Sequence, residues 1–70
     1  MINIAEISTS DLEKDLRESN EDIAACETAL ALGIMSYSGG SVKGRLEDNK
    51  EIVKVITAEL LRRQSLNIKN

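Results

Sequence analysis

Two stretches with helix-type apolar spacing, separated by one short break, constrain the fold of this chain more than any other feature. Each stretch places its apolar residues at alternating steps of three and four, with one polar residue in the row. The members are Leu12, Leu16, Ser19, Ile23, Cys26 and Leu30 in the first stretch, and Val42, Leu46, Asn49, Val53, Ile56 and Leu60 in the second. The break at residues 34–41 is short enough to fold the second helix back on the first. The sequence therefore predicts an all-α fold, an antiparallel two-helix hairpin. Folding about residues 37 and 38 places Cys26 opposite Asn49.

The hairpin is predicted as a single domain with helices at about 10–32 and 42–66. Residues 2–4 read Ile-Asn-Ile, and this short alternation predicts an extended N-terminal arm over residues 1–9. A frayed terminus is the equal alternative for this segment. Residues 67–70 are expected to fray at the C-terminal end.

The helix ends carry recognisable capping residues. Ser10 and Glu13 fit a capping box at the start of the first helix, and Ser8 is the alternative cap. Gly33 follows the last helical residue and is a natural stop, because glycine adopts the left-handed conformation that ends many helices. Ser41 is the expected cap of the second helix.

A chain of 70 residues needs help to stay folded, and this favours self-association. The single cysteine, Cys26, cannot form an internal disulfide, and the chain contains no histidine for a classical zinc site. Ile52, Val55 and Leu61 fall beside the main apolar row and widen it beyond what one partner helix covers. We therefore expect a homo-oligomer, with a four-helix bundle as the simplest arrangement, or docking on a larger protein.

Composition excludes several function classes and sets the expected partners. Without histidine, Ser/His/Asp and Cys/His catalysis are ruled out, and no cofactor, metal or small-molecule substrate site is expected. A net charge of -3 disfavours nucleic acid as a partner. An RNA-binding hairpin dimer would need a basic face formed by Lys43, Lys50, Lys54 and Arg62. The chain lacks a membrane-spanning run and a signal-peptide pattern, which, with the unpaired thiol, predicts a cytoplasmic protein.

Two groups of residues near the break are candidate binding sites. The hairpin tip carries Ile34, Met35 and Tyr37, which either cap the helix ends or form a partner anchor, since tyrosine is enriched at interface hot spots. The second group leads into the second helix, where free N–H groups and basic side chains are able to hold an anion. Its members are Gly39, Gly40, Ser41, Lys43 and Arg45. The alternative for this group is a flexible, capped turn.

The run ALALGIMSYSGG at residues 29–40 precedes a Leu/Ile/Val-patterned helix that ends with ELLRR at residues 59–63. Together these stretches resemble the small head–tail joining proteins of tailed phages. The resemblance implies a helix, a glycine turn with a short β-hairpin, a second helix, and a role in virion assembly. The pattern lacks the second hairpin strand and the basic tail of that family. The residues themselves favour a non-enzymatic protein–protein interaction module of the adaptor or inhibitor type, with virion assembly as the alternative.

Overall fold

The computed structural model describes residues 3–68 and confirms the all-α helical hairpin. A short 3-10 helix at Ile4–Glu6 precedes the first long helix, α1, at Thr9–Ala31. Two short strands, β1 at Ser36–Tyr37 and β2 at Gly40–Ser41, form the connection, and the second long helix, α2, spans Val42–Ile68. The elongated molecule measures 50 × 25 × 15 Å, so the tip lies far from the open end, where the 3-10 helix meets the last turns of α2.

Side-chain and backbone caps fix both ends of α1. The hydroxyl of Ser8 accepts a hydrogen bond from the Asp11 N–H at 3.1 Å, so Ser8 is the cap and Ser10 lies inside the first turn. At the other end the N–H groups of Gly33 and Ile34 donate to the carbonyls of Leu30 and Ala29, at 3.0 and 2.8 Å. With Gly33 at φ 83°, this is a Schellman motif, which satisfies carbonyls that the helix leaves open.

The connection contains the second strand that the sequence pattern lacked. Ser36 pairs with Ser41 and Tyr37 with Gly40 in an antiparallel register. The pattern missed β2 because it has only two residues, one of them a glycine, and therefore shows no apolar alternation. The second strand is followed directly by α2. There the Val42 N–H donates a hydrogen bond to the Met35 carbonyl at 3.0 Å.

The start of α2 depends on a serine and a glycine. Ser41 accepts a hydrogen bond from the Gly44 N–H at 2.9 Å, as its predicted capping role requires. A methyl group added at Gly44 would lie 2.8 Å from the Ser41 hydroxyl oxygen, so glycine leaves room for this cap.

The structure differs from the prediction for the N-terminal arm. Residues Ile4–Glu6 form a 3-10 turn and not an extended segment, because the Asn3 side chain caps the Ala5 N–H at 3.1 Å. At the other end α2 is described to Ile68, and the fraying expected for residues 67–70 stays a prediction. Lys69 and Asn70 lie outside the described residues.

The predicted apolar rows form the seam between the helices. The residues that are buried are Leu12, Ser19 and Cys26 in α1, and Val42, Leu46, Asn49, Ile56 and Glu59 in α2. The register differs from the prediction by about one helical turn, since Cys26 packs with Val42 and Leu46 and not with Asn49. The shift arises because the connection is asymmetric. Residues 32–35 separate α1 from β1, whereas β2 runs directly into α2.

Candidate functional site

The exposed apolar candidates lie in three separate places. Ile52 and Val55, which are 44% and 45% exposed, share one edge of α2. Leu61 is nine residues beyond Ile52 and, at 3.6 residues per turn, lies on the opposite edge. The tip residues Ile34, Met35 and Tyr37 are also exposed, and so are Leu32 and Leu66. The predicted apolar surface is therefore not one continuous patch.

An ion-pair cluster connects α1 with α2 near the tip. Arg45 donates two hydrogen bonds to the Asp22 carboxylate, at 2.7 and 2.9 Å, and the Asn49 side-chain amide donates a third at 2.7 Å. Arg45 and then Asn49 hold the pKa of the Asp22 carboxyl below its usual value, because both stabilise the charged form. Asn49, predicted only as the polar member of the row, is therefore part of a contact that fixes the register.

Tyr37 belongs to the same side of the molecule as this cluster. The Arg45 guanidinium carbon lies 5.4 Å from the centre of the Tyr37 ring, within cation–π range. Gly39 lies against the ring, since a methyl group there would be 2.8 Å from a ring carbon. Tyr37 is 42% exposed, so part of its surface is in contact with solvent while Arg45 and Gly39 lie against the ring.

Several donors at the candidate anion site already form hydrogen bonds within the chain. Arg45 is already paired with Asp22, and the N–H groups of Val42 and Gly44 donate to Met35 and to Ser41. Gly39, Gly40, Ser41 and Arg45 line one pocket, but the Asp48 carboxylate also lines it and Lys43 does not. The alternative of a capped turn describes these residues better.

A groove runs between the helices on the side of the molecule that we call the front face. Its lining residues are Asp15, Glu18, Ser19 and Asp22 from α1, with Arg45, Asn49, Ile52 and Ile56 from α2. Asp11, Asp15, Glu18 and Asp22 follow helical spacing along this one edge of α1. That spacing is visible in the sequence, but spacing alone does not distinguish the wall of a groove from a solvated face.

A second cluster ties the 3-10 turn to the far end of α2. Arg63 donates hydrogen bonds to the carbonyls of Ile4 and Ile7 at 3.1 and 2.7 Å, and to the Thr9 hydroxyl at 2.9 Å. Arg63 also pairs with Glu59 at 2.7 Å. We call this arrangement the N-terminal clamp.

Glu59 is the buried anion of the clamp. Its side chain is only 8% exposed and is held by Arg62 and Arg63, three and four residues further along the same helix. Hydrogen bonds from Arg62 and then Arg63 lower the pKa of Glu59 to about 2. The sequence analysis missed this residue because a glutamate does not belong to an apolar row, although its spacing to the two arginines is typical of helical ion pairs.

The remaining chemistry is sparse. Cys26 is buried in the core, in keeping with its predicted role as a small core residue. Within residues 3–68, no three Cys, Asp or Glu side chains are placed to share a metal ion. Neither α1 nor α2 includes an apolar stretch long enough to cross a membrane.

Comparison with family models, with curated proteins and with solved structures gave no match.

Proposed function

We propose that the chain is a non-enzymatic protein-interaction module that presents its helical faces and hairpin tip to a second copy or to a protein partner. One observation carries the proposal. Among residues 3–68, eight large hydrophobic side chains are exposed, whereas five hydrophobic residues form the buried core. A domain that leaves more large apolar groups outside than inside gains stability when another surface covers them.

Self-association into a four-helix bundle is the first form of this proposal to test. Sedimentation equilibrium at micromolar concentration is expected to give a mass above the 7.7 kDa of one chain. If the edge of α2 that carries Ile52 and Val55 forms the contact, replacing both residues by serine is expected to lower that mass. If the opposite edge forms the contact, Leu61→Ser is expected to lower it. Lys54→Ser is the control for Ile52 and Val55, because Lys54 is exposed and, seven residues before Leu61, lies on the opposite edge. A monomer that melts cooperatively would contradict self-association.

The tip supports a second form, in which a different protein is bound. Tyr37 is half-exposed and held in place by Arg45, so it costs little conformational entropy to present. Tyr37→Ala is expected to leave the melting temperature within a few degrees of the wild type. It is expected to weaken capture of the native partner by about 2–4 kcal/mol, as anchor truncations do. A large loss of stability with unchanged binding by the folded fraction would instead identify Tyr37 as a cap.

Virion assembly is a second candidate function, favoured by the strand pair between the two helices. The resemblance to the head–tail joining proteins implied such a pair, whereas the apolar pattern did not. If the source is a tailed phage, mass spectrometry of purified particles is expected to find the chain at a fixed copy number. Its absence from complete particles would exclude this role.

A further inference from the structure

The front-face groove combines two isoleucine side chains with an acidic wall. Ile56, which is buried, and Ile52, which is 44% exposed, both line it. Ser19 also lines the groove and is only 8% exposed. The groove therefore offers an apolar contact beside charged side chains.

The wall of the groove on α1 carries uncompensated negative charge. In the described part of the chain, ion pairs neutralise Asp22 and Glu59, and none involves Asp15 or Glu18. Residues 11–32 contain seven acidic and two basic residues, a net charge of -5. Lys50 is two positions before Ile52, which places it on the far edge of α2. Asp15 and Glu18 are therefore left without a basic partner among the described residues.

We propose that the groove binds a cationic amphipathic helix of a protein partner. Aliphatic side chains three, four and seven residues apart on that helix pack on Ile52 and Ile56, as in other helix-in-groove complexes. Lysine or arginine residues along one flank pair with Asp15 and Glu18. The charge of the wall repels acidic helices and nucleic acid alike. This inference rests on the proposed interaction function and names the class of its partner.

The test uses two synthetic 18-residue helical peptides with leucine at three- and four-residue steps. One carries lysine along the flank and the other carries glutamate at the same positions. Fluorescence anisotropy measures binding to the full chain, and amide chemical shifts in NMR spectra locate it. We expect only the lysine peptide to bind, with salt weakening it, and with the largest shifts at residues 15–22 and 49–56.

Matched variants separate groove binding from general attraction between opposite charges. Asp15→Asn with Glu18→Gln removes two charges from the groove wall and is expected to weaken the lysine peptide about tenfold. Glu13→Gln with Glu27→Gln removes two charges from the opposite edge of α1 and is expected to change affinity less than twofold. Ile52→Ser is expected to weaken binding, whereas Leu61→Ser is not.

Several results would overturn the inference. Equal weakening by the two double variants would reduce the binding to net charge, and equal binding of the glutamate peptide would exclude a cationic partner. If neither peptide binds and Ile52→Ser abolishes self-association, a second copy occupies the groove, and the proposed interaction function stands without this inference. If neither peptide binds and the wild-type chain remains a monomer without a tip partner, both proposals fail.

Discussion

Replacing Arg63 by lysine tests whether the N-terminal clamp stabilises the whole hairpin. The arginine side chain is 18% exposed and uses all three of its nitrogen atoms. Nε donates to the Glu59 carboxylate, Nη1 to the Thr9 hydroxyl, and Nη2 to backbone carbonyls of the N-terminal segment. A lysine keeps the positive charge but has one nitrogen, so it keeps at most part of this set. The substitution therefore isolates the geometry of the guanidinium from its charge.

The expected cost follows from the bonds that lysine cannot make. An ammonium group in the place of Nη2 loses the bonds that Nε makes to Glu59 and Nη1 makes to Thr9. A buried hydrogen bond from a charged group is worth about 1.5–3 kcal/mol. Water reaches this partly exposed site and replaces some of that energy, so we expect a loss of about 2–3 kcal/mol. In a domain of this size each kcal/mol lowers the melting temperature by about 4–8 °C, which gives a decrease of about 10–20 °C.

Thermal unfolding followed by circular dichroism measures this decrease. Arg62→Lys is the matched control, because Arg62 pairs with the same glutamate but is 53% exposed and makes no contact with the 3-10 turn. We expect its melting temperature to change much less. Thr9→Ala is expected to cost less in the Arg63→Lys background than in the wild type, because the hydroxyl then has no guanidinium to accept from. Equal effects of the two lysine substitutions would refute the clamp.

Three further predictions follow from the core, the acid response and the end of α1. Ile56→Ala is expected to destabilise the fold by about 2–5 kcal/mol in urea unfolding, whereas Lys54→Ala is expected to be nearly neutral, and equal effects would contradict the seam. Because Glu59 has its pKa lowered from 4.5 to about 2, its contribution is present above pH 4.5 and is lost as the pH falls toward 2. Glu59→Gln is expected to flatten stability measured over that range, and an unchanged profile would remove Glu59 as the cause. Gly33→Ala is expected to cost about 1–2 kcal/mol in the same urea assay, because φ at this position is 83°, and a neutral result would contradict the Schellman motif.

The apolar spacing was sufficient to predict the hairpin but not its register. The buried positions repeat locally along each helix, so the row that contains Cys26 and the row that contains Ile56 are visible without knowledge of the partner helix. The register depends on how many residues the chain uses on each side of the turn. The Schellman motif at Gly33 and the two-residue strands decide that number, and neither is marked by apolar periodicity.

The candidate site was harder to predict from the sequence than the hairpin, because it depends on contacts between distant parts of the chain. Glu59 is buried only because the 3-10 turn and Arg63 meet in space, and a pattern along one helix does not contain that contact. The acidic edge of α1 is visible as spacing from Asp15 to Asp22. Its place beside Ile52, which turns a charged surface into one wall of a groove, depends on the shifted register.

The clamp also decides how the molecule responds to mechanical force. Residues 3 and 68 lie at the same end of a 50 Å rod, because Arg63 holds the first turn against the last part of α2. A pull applied to the two ends therefore acts across the seam and not along it, and loads its contacts one after another from the open end. The hairpin should unzip at low force, with the bonds of Arg63 as the first resistance and the strand pair at the tip as the last contact to separate.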